Sequence, residues 1–148
     1  MKETGKLKAS DGGENNFFGL SVGISKNTVI VGAYGNNQAR SSAYVFEKPK
    51  NGWTNMTQTA KLVPVPGVNY DGYFGYSADI DGNYIVVGVY GGDLNGDGIC
   101  DNNVYVFEKP EGGWTDMSQT AKLSATDGHI NDQFGSSVSI SDSIIVIG

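Results

Sequence analysis

The 148-residue sequence has few of the side chains that enzymes use for covalent catalysis. Cys100 is the single cysteine and His129 the single histidine, so no disulfide framework can form within the chain. No serine or cysteine stands in a recognisable pattern with the histidine, which argues against a Ser-His-Asp or Cys-His nucleophile. The Gly-Lys-Ser/Thr pattern of a phosphate-binding loop is also missing. The sequence therefore gives no support to covalent nucleophilic catalysis or to a phosphate-binding loop.

Positive charge is scarce as well. Ten Lys and Arg stand against sixteen Asp and Glu, which gives a net charge of -6 and argues against nucleic acid or an anionic membrane as partner. No apolar run is long enough to span a bilayer, and residues 1–6 lack the apolar centre of a signal peptide. We expect no membrane insertion; if the protein is secreted, its signal was removed or lies outside this sequence.

The chain contains an internal repeat. Residues 43–62 and 104–123 share 15 of 20 letters at a step of 61, and the Phe-Gly pairs at Phe74 and Phe134 repeat at a step of 60. Periods of this size are typical of stacked supersecondary units. The 22 glycines and the short Val/Ile runs favour strands joined by tight turns over helices. The sequence predicts an all-β array of about two and a half units.

Each unit is predicted to contain four strands. Val22 and Ile24 alternate with small residues, as in a strand with one buried face, and residues 28–33 are apolar on both faces, as in a fully buried strand. The third and fourth strands are predicted at residues 44–47 and 57–62. Four antiparallel strands per unit are the content of a β-propeller blade. A β-sandwich is the alternative, but its strands occupy non-equivalent places, which does not suit so regular a repeat.

The motifs resemble a known family. Phe-Gly-x-Ser, followed about ten residues later by a β-branched run that ends in Gly-Ala, resembles the FG-GAP repeat of integrin α-subunit propellers and of many bacterial extracellular proteins. The copies begin at Phe18-Gly19, Phe74-Gly75 and Phe134-Gly135. Tyrosine stands where the proline of Gly-Ala-Pro would be. The resemblance implies a β-propeller that closes with seven blades, an extracellular or cell-surface location, and binding rather than turnover.

We predict one repeat array with four parts. Residues 1–17 are the last strand of a preceding unit with its loop, 18–73 and 74–133 are two blades with their connecting loops, and 134–148 are the first two strands of a third blade. This array is open at both ends, and open strand edges pair readily with other chains. We expect further repeats of the same chain or self-association, which forms a ring or a filament if it runs head to tail.

A calcium site is predicted in the second unit. Asp93, Asn95, Asp97 and Asp101 place oxygen side chains at positions 1, 3, 5 and 9 of a loop, and Ile99 at position 7 would offer its carbonyl. This spacing suits Ca²⁺, although the glutamate at position 12 and the flanking helices of an EF-hand are missing. The loop is similar to the calcium loops of integrin-type propellers, but it follows the Gly-Ala strand, whereas the family's loop precedes it.

The neighbouring sequence supports the calcium prediction. No Lys or Arg occurs between Leu62 and Glu108, and seven acidic residues fall between Asp71 and Glu108. The matching loop of the first unit is five residues shorter and has no carboxylate. A polar hairpin loop with incidental Asp-Gly turns is the alternative interpretation.

Two other features offer candidate sites. Trp53 and Trp114 follow glycine turns and could stack on a sugar ring, but a tryptophan that occurs once per blade more often fills the space between sheets. Asn55 begins an Asn-Met-Thr glycosylation sequon. The sequence therefore indicates a calcium-stabilised adhesion or structural repeat protein with an extracellular protein or glycan as ligand. A lectin-like propeller module and a non-catalytic segment of a larger secreted hydrolase are the alternatives.

Overall fold

The computed structural model describes residues 2–35, 41–64, 73–91, 102–129 and 132–148. The described residues form strands and turns, with no helix. Within these ranges, twelve strands follow one another: β1 (Leu7–Lys8), β2 (Val22–Ser25), β3 (Thr28–Ala33), β4 (Ser42–Glu47), β5 (Met56–Thr57), β6 (Ala60–Leu62), β7 (Tyr73–Asp81), β8 (Tyr84–Tyr90), β9 (Val104–Glu108), β10 (Ala121–Leu123), β11 (Val138–Ser141) and β12 (Ile144–Ile147).

The strands form two complete blades and the first half of a third. Blade 1 has the order β2-β3-β4-β6 and blade 2 the order β7-β8-β9-β10, both antiparallel, while β11 and β12 form an antiparallel pair that we call blade 3. The register repeats between units, with Val22 opposite Val31 and Val138 opposite Ile147. The prediction of an all-β, propeller-like array of four-stranded blades without ring closure is confirmed.

The last strand of each unit differs from its prediction. We expected one strand over residues 57–62, but the chain bends after Thr57, so β5 and β6 belong to different sheets. β6 completes blade 1, whereas β5 pairs in parallel with β1, where Met56 N donates to Lys6 O at 3.1 Å. The second unit copies this exchange through a parallel bridge between Leu62 and Met117. Each unit therefore donates a short segment to the unit before it.

The hydrophobic core lies between the blades. On β3, Ile30 packs into the cluster shared with blade 2, while Val31 packs into a separate cluster with the N-terminal segment. On β8, Val87 faces blade 1 and Val86 faces blade 3. Since neighbouring side chains on a strand point to opposite faces, a strand between two blades must be apolar on both. This explains why the second strand of each unit reads as a continuous Val/Ile run.

Candidate functional site

A serine hydroxyl at the start of each of the first two units ties that unit to the next one. Ser21 Oγ donates to Gly75 O at 2.8 Å, and Ser77 Oγ donates to Gly135 O at 2.7 Å. The donors are the serines of Phe-Gly-x-Ser, and the acceptors are the glycines of the following Phe-Gly pair. Both acceptor glycines have φ of +89°, a conformation that glycine adopts without strain. The motif therefore builds the junction between blades.

The glycine of each Gly-Ala or Gly-Val pair lies beneath this hydrogen bond. A Cβ atom on Gly88 would lie 2.1 Å from Gly135 O and 2.2 Å from Ser77 Oγ. Gly32 is equally confined, because its Cβ would lie 2.0 Å from Gly75 O. Any side chain at either position would force the two blades apart.

Two carboxylates form a second set of ties near the ends of the inner strands. Asp79 Oδ2 accepts hydrogen bonds from Ile140 N at 2.9 Å and from Ser139 Oγ at 3.1 Å. Asp81 Oδ2 accepts from Asp142 N at 2.6 Å, and its other oxygen accepts from Ser25 Oγ at 3.5 Å. Hydrogen bonds to a charged acceptor are among the stronger kinds in proteins. These side chains join blade 2 to both of its neighbours.

A third set of ties lies at the outer edge. Asn55 Oδ1 accepts from Lys6 N at 2.8 Å, and Asp116 Oδ1 accepts from Lys61 N at 2.7 Å. The two acceptors occupy equivalent positions one repeat apart, so the amide of Asn55 has a structural role. Asn55 is exposed, and its use as a glycosylation site stays a prediction.

Lys61 also holds an exposed acid. Its Nζ lies 2.5 Å from Asp11 Oδ2, and Tyr44 Oη donates to Asp11 Oδ1 at 2.9 Å. The lysine hydrogen bond, helped by the tyrosine, lowers the pKa of Asp11 below its usual 3.8. Burial, with the Asp11 hydrogen bond, raises the pKa of Tyr44 to about 12. This triad joins the loop after β1 to blade 1.

The outward-facing surfaces of blades 1 and 3 are exposed, whereas the equivalent surfaces between neighbouring blades are buried. Val22 on β2 is 65% exposed, while its counterpart Ala78 on β7 is 8% exposed. On the other side, Val146 on β12 is 64% exposed, while its counterparts Ile30 and Val86 are fully buried. Among the described residues, Ser137 Oγ forms no hydrogen bond, although it is the counterpart of Ser21 and Ser77. We call the surface around Val22 and Ile24 the front face and the surface around Ile144 and Val146 the back face.

A family model for the FG-GAP repeat matches residues 1–46, 56–107 and 117–148, which is most of the chain. The chain belongs to the FG-GAP repeat family. No curated protein sequence matches it. FG-GAP repeats are propeller-like, generally non-catalytic binding or structural modules, and they typically occur in extracellular proteins. The described part of the chain contains no helix that could cross a membrane.

The predicted calcium loop lies outside the described residues. Asp93, Asn95, Asp97, Ile99 and Asp101 all fall within 92–101, so the calcium site stays a prediction. In the parts of the chain that the structure does describe, no group of three or more His, Cys, Asp or Glu side chains could hold a metal ion.

The two tryptophans occupy similar places in this FG-GAP chain. Trp114 is buried in the cluster between blades 1 and 2, and Trp53 is half-buried against the cluster between blade 1 and the N-terminal segment. Each ring therefore packs between sheets, which favours the packing interpretation over sugar binding.

His129 is exposed, and within the described ranges its hydrogen bonds are all to Asp132. Its backbone N donates to Asp132 Oδ2 at 2.7 Å, and its Nδ1 lies 3.7 Å from the same oxygen. Among the described residues, no serine hydroxyl bonds the ring.

Sequence reasoning missed the role of Asp79 and Asp81. Their oxygens accept hydrogen bonds from β11 and its turn. A usable signal was present: Gly23 and Ser25 stand at the same positions in the first unit, and a serine and an aspartate at equivalent places can form a donor-acceptor pair between neighbouring strands.

Proposed function

We propose that this FG-GAP chain is an extracellular, calcium-stabilised structural or adhesion module that binds partners and does not catalyse a reaction. Its blades stack through repeated ties, and its front and back faces pack against further blades. These blades come from further repeats of the same chain or from a second copy. The observation that carries the proposal is the contrast between Val146, exposed on the back face, and Val86, buried at the equivalent internal position.

The front face and the back face are complementary, because the equivalent surfaces of neighbouring blades already pack on each other inside the chain. Inside the chain, the residues equivalent to the front face pack on the residues equivalent to the back face, with a serine hydroxyl donated across to a glycine carbonyl. A front face on the back face of a second copy would therefore bring Ser137 Oγ toward Gly19 O. Such a contact is heterologous, so it propagates unless the rotation closes a ring.

Sedimentation of paired face variants tests this assembly. Val22→Asp disables the front face and Val146→Asp disables the back face, so each variant alone should stay monomeric. A one-to-one mixture retains one intact face of each kind and should form a discrete dimer, while the wild-type chain forms larger species. Glu111→Lys, at an exposed turn, is the control and should associate like the wild type.

A wild-type chain that stays monomeric up to about 100 μM would contradict self-association. The same outcome would leave packing against further repeats of a longer chain, which a longer fragment that covers both faces would test by its higher melting temperature. A longer fragment that melts no higher would contradict the stacking proposal as a whole.

A further inference from the structure

Five aromatic rings meet where β2 and β7 begin and where β3 and β8 end. They are Phe17, Tyr34, Tyr73, Tyr76 and Tyr90, and we call them the aromatic platform. Tyr34 stacks on Phe17 with ring centroids 4.8 Å apart and an angle of 7°, and it meets Tyr73 edge to face at 5.1 Å. Tyr90 stacks on Tyr76 at 4.5 Å and on Tyr73 at 6.1 Å. The platform therefore crosses the junction between blades 1 and 2.

The third unit has no aromatic side chain at the positions equivalent to Phe17, Tyr73 and Tyr76. Phe17 and Tyr73 precede the Phe-Gly pairs of the first two units, and Gln133 takes this place in the third unit. Tyr76 follows the second Phe-Gly pair, and Ser136 takes its place in the third. Phe17 and Gln133 share a left-handed backbone, with φ of 46° and 61°, so a polar side chain fits the same turn. An aromatic residue directly before the Phe-Gly pair therefore occurs in the first two units and is replaced in the third.

The platform offers both apolar faces and polar rims. Phe17 is 47% exposed although one face of its ring lies on Tyr34. The four tyrosines are half-buried, and their hydroxyls form no hydrogen bond within the described residues. Tyrosines with an apolar body and a free polar tip are typical of binding surfaces.

We propose that the aromatic platform binds a neutral carbohydrate. A sugar ring stacks on the exposed side of Phe17, and the tyrosine hydroxyls exchange hydrogen bonds with the hydroxyls of the sugar. Neutral sugars fit because none of the five platform residues is charged. An extended peptide would instead add to an open strand edge, and the platform lies at strand ends.

This inference rests on the binding role proposed above and names its ligand class. It differs from the tryptophan hypothesis, because the structure packs Trp53 and Trp114 between sheets and leaves the exposed aromatic surface at Phe17. Carbohydrate binding and blade stacking also use different residues, so one can fail without the other.

Isothermal titration with four neutral hexasaccharides tests the proposal: cellohexaose, mannohexaose, xylohexaose and hexa-N-acetylchitohexaose. At least one should bind the 148-residue chain. Phe17→Gln, which copies the third unit at the same turn, should weaken that binding about three- to tenfold, as expected for the loss of one aromatic stacking contact. Tyr76→Phe keeps the ring and removes one hydroxyl, so it should cause a smaller loss. Ser136→Ala in the third unit should have no effect.

Absence of binding by all four sugars at about 5 mM would overturn the proposal, as would equal affinity of the wild type and Phe17→Gln. If Phe17→Gln does not fold, as judged by its thermal transition, the sugar affinity of Tyr76→Phe alone tests the proposal, since this variant preserves the shape of the ring. Val146→Asp separates the two proposals. It should abolish the association of chains through the back face and leave the sugar affinity unchanged. A loss of sugar binding in Val146→Asp would place the sugar on the open faces and contradict the platform.

Discussion

Ser77 Oγ and Gly135 O are joined by a 2.7 Å hydrogen bond across the junction of blades 2 and 3. Ser21 and Gly75 form the same bond one unit earlier. The bond links the Phe-Gly-x-Ser segment of one unit to the Phe-Gly pair of the next. Since each unit donates to its successor, the bond can continue through any number of blades.

Ser77→Ala should destabilise the chain by about 1 to 2 kcal/mol, because the variant loses a buried hydroxyl donor and no other donor replaces it at Gly135 O. For a chain of this size, we expect the melting temperature to fall by about 3 to 6 °C, measured by circular dichroism. Ser137→Ala is the matched control, because Ser137 Oγ forms no hydrogen bond among the described residues. Its stability should stay within about 0.5 kcal/mol of the wild type. Equal losses in both variants would contradict the junction bond.

Gly88→Ala should destabilise the chain more than Ser77→Ala does. The new methyl group would overlap Gly135 O at 2.1 Å and Ser77 Oγ at 2.2 Å, and the blades must separate to admit it. We expect a loss of about 2 to 3 kcal/mol, at the upper end of overpacking effects, measured by urea unfolding. Gly112→Ala is the control, because its Cβ would meet no atom within 4 Å. A loss below about 1 kcal/mol in Gly88→Ala would show that the junction is loosely packed.

The repeat predicted most of the architecture, because a pattern that recurs every 60 or 61 residues must occupy equivalent places. Continuous Val/Ile runs predicted strands buried on both faces, and Ile30 and Val31 do pack into different clusters. The parallel pairing of Met56 with Leu7 was not predicted, because strand alternation within 57–62 carries no information about a partner 49 residues earlier.

The candidate site was less predictable than the fold. The spacing from Asp93 to Asp101 predicts a calcium site from sequence alone, because ligand type and interval are local properties. The aromatic platform depends instead on the meeting of Phe17, Tyr34 and Tyr73 across two blades. Such a surface exists only once the blades are stacked.

The Asp11–Lys61 pair should make stability depend on acid pH. Lys61 lowers the pKa of the Asp11 carboxyl, so the folded chain binds this proton less readily than the unfolded chain does. The pair adds to the free energy of unfolding above a pH of about 4. This contribution is lost as the pH falls through the lowered pKa of Asp11. Both side chains are partly exposed, so the effect is about 0.5 to 1 kcal/mol.

Comparison of Asp11→Asn with the wild type measures that effect. The variant should be less stable by this amount at pH 6, and the difference should vanish at pH 2. Asp127→Asn, at an exposed turn, should match the wild type at both pH values. A difference that persists unchanged at pH 2 would assign the loss to packing of Asp11 rather than to its charge.

Calcium should raise the melting temperature if residues 93–101 form the predicted site. With a Kd of about 10⁻⁴ M, within the extracellular range, about 10 mM calcium adds about 2.7 kcal/mol to the free energy of unfolding. That corresponds to a rise of about 5 to 10 °C over a sample in EDTA, because the ion offsets repulsion among Asp93, Asp97 and Asp101. Asp97→Ala should remove the response, whereas Asp127→Ala should retain it. Identical melting curves in calcium and in EDTA would contradict the site.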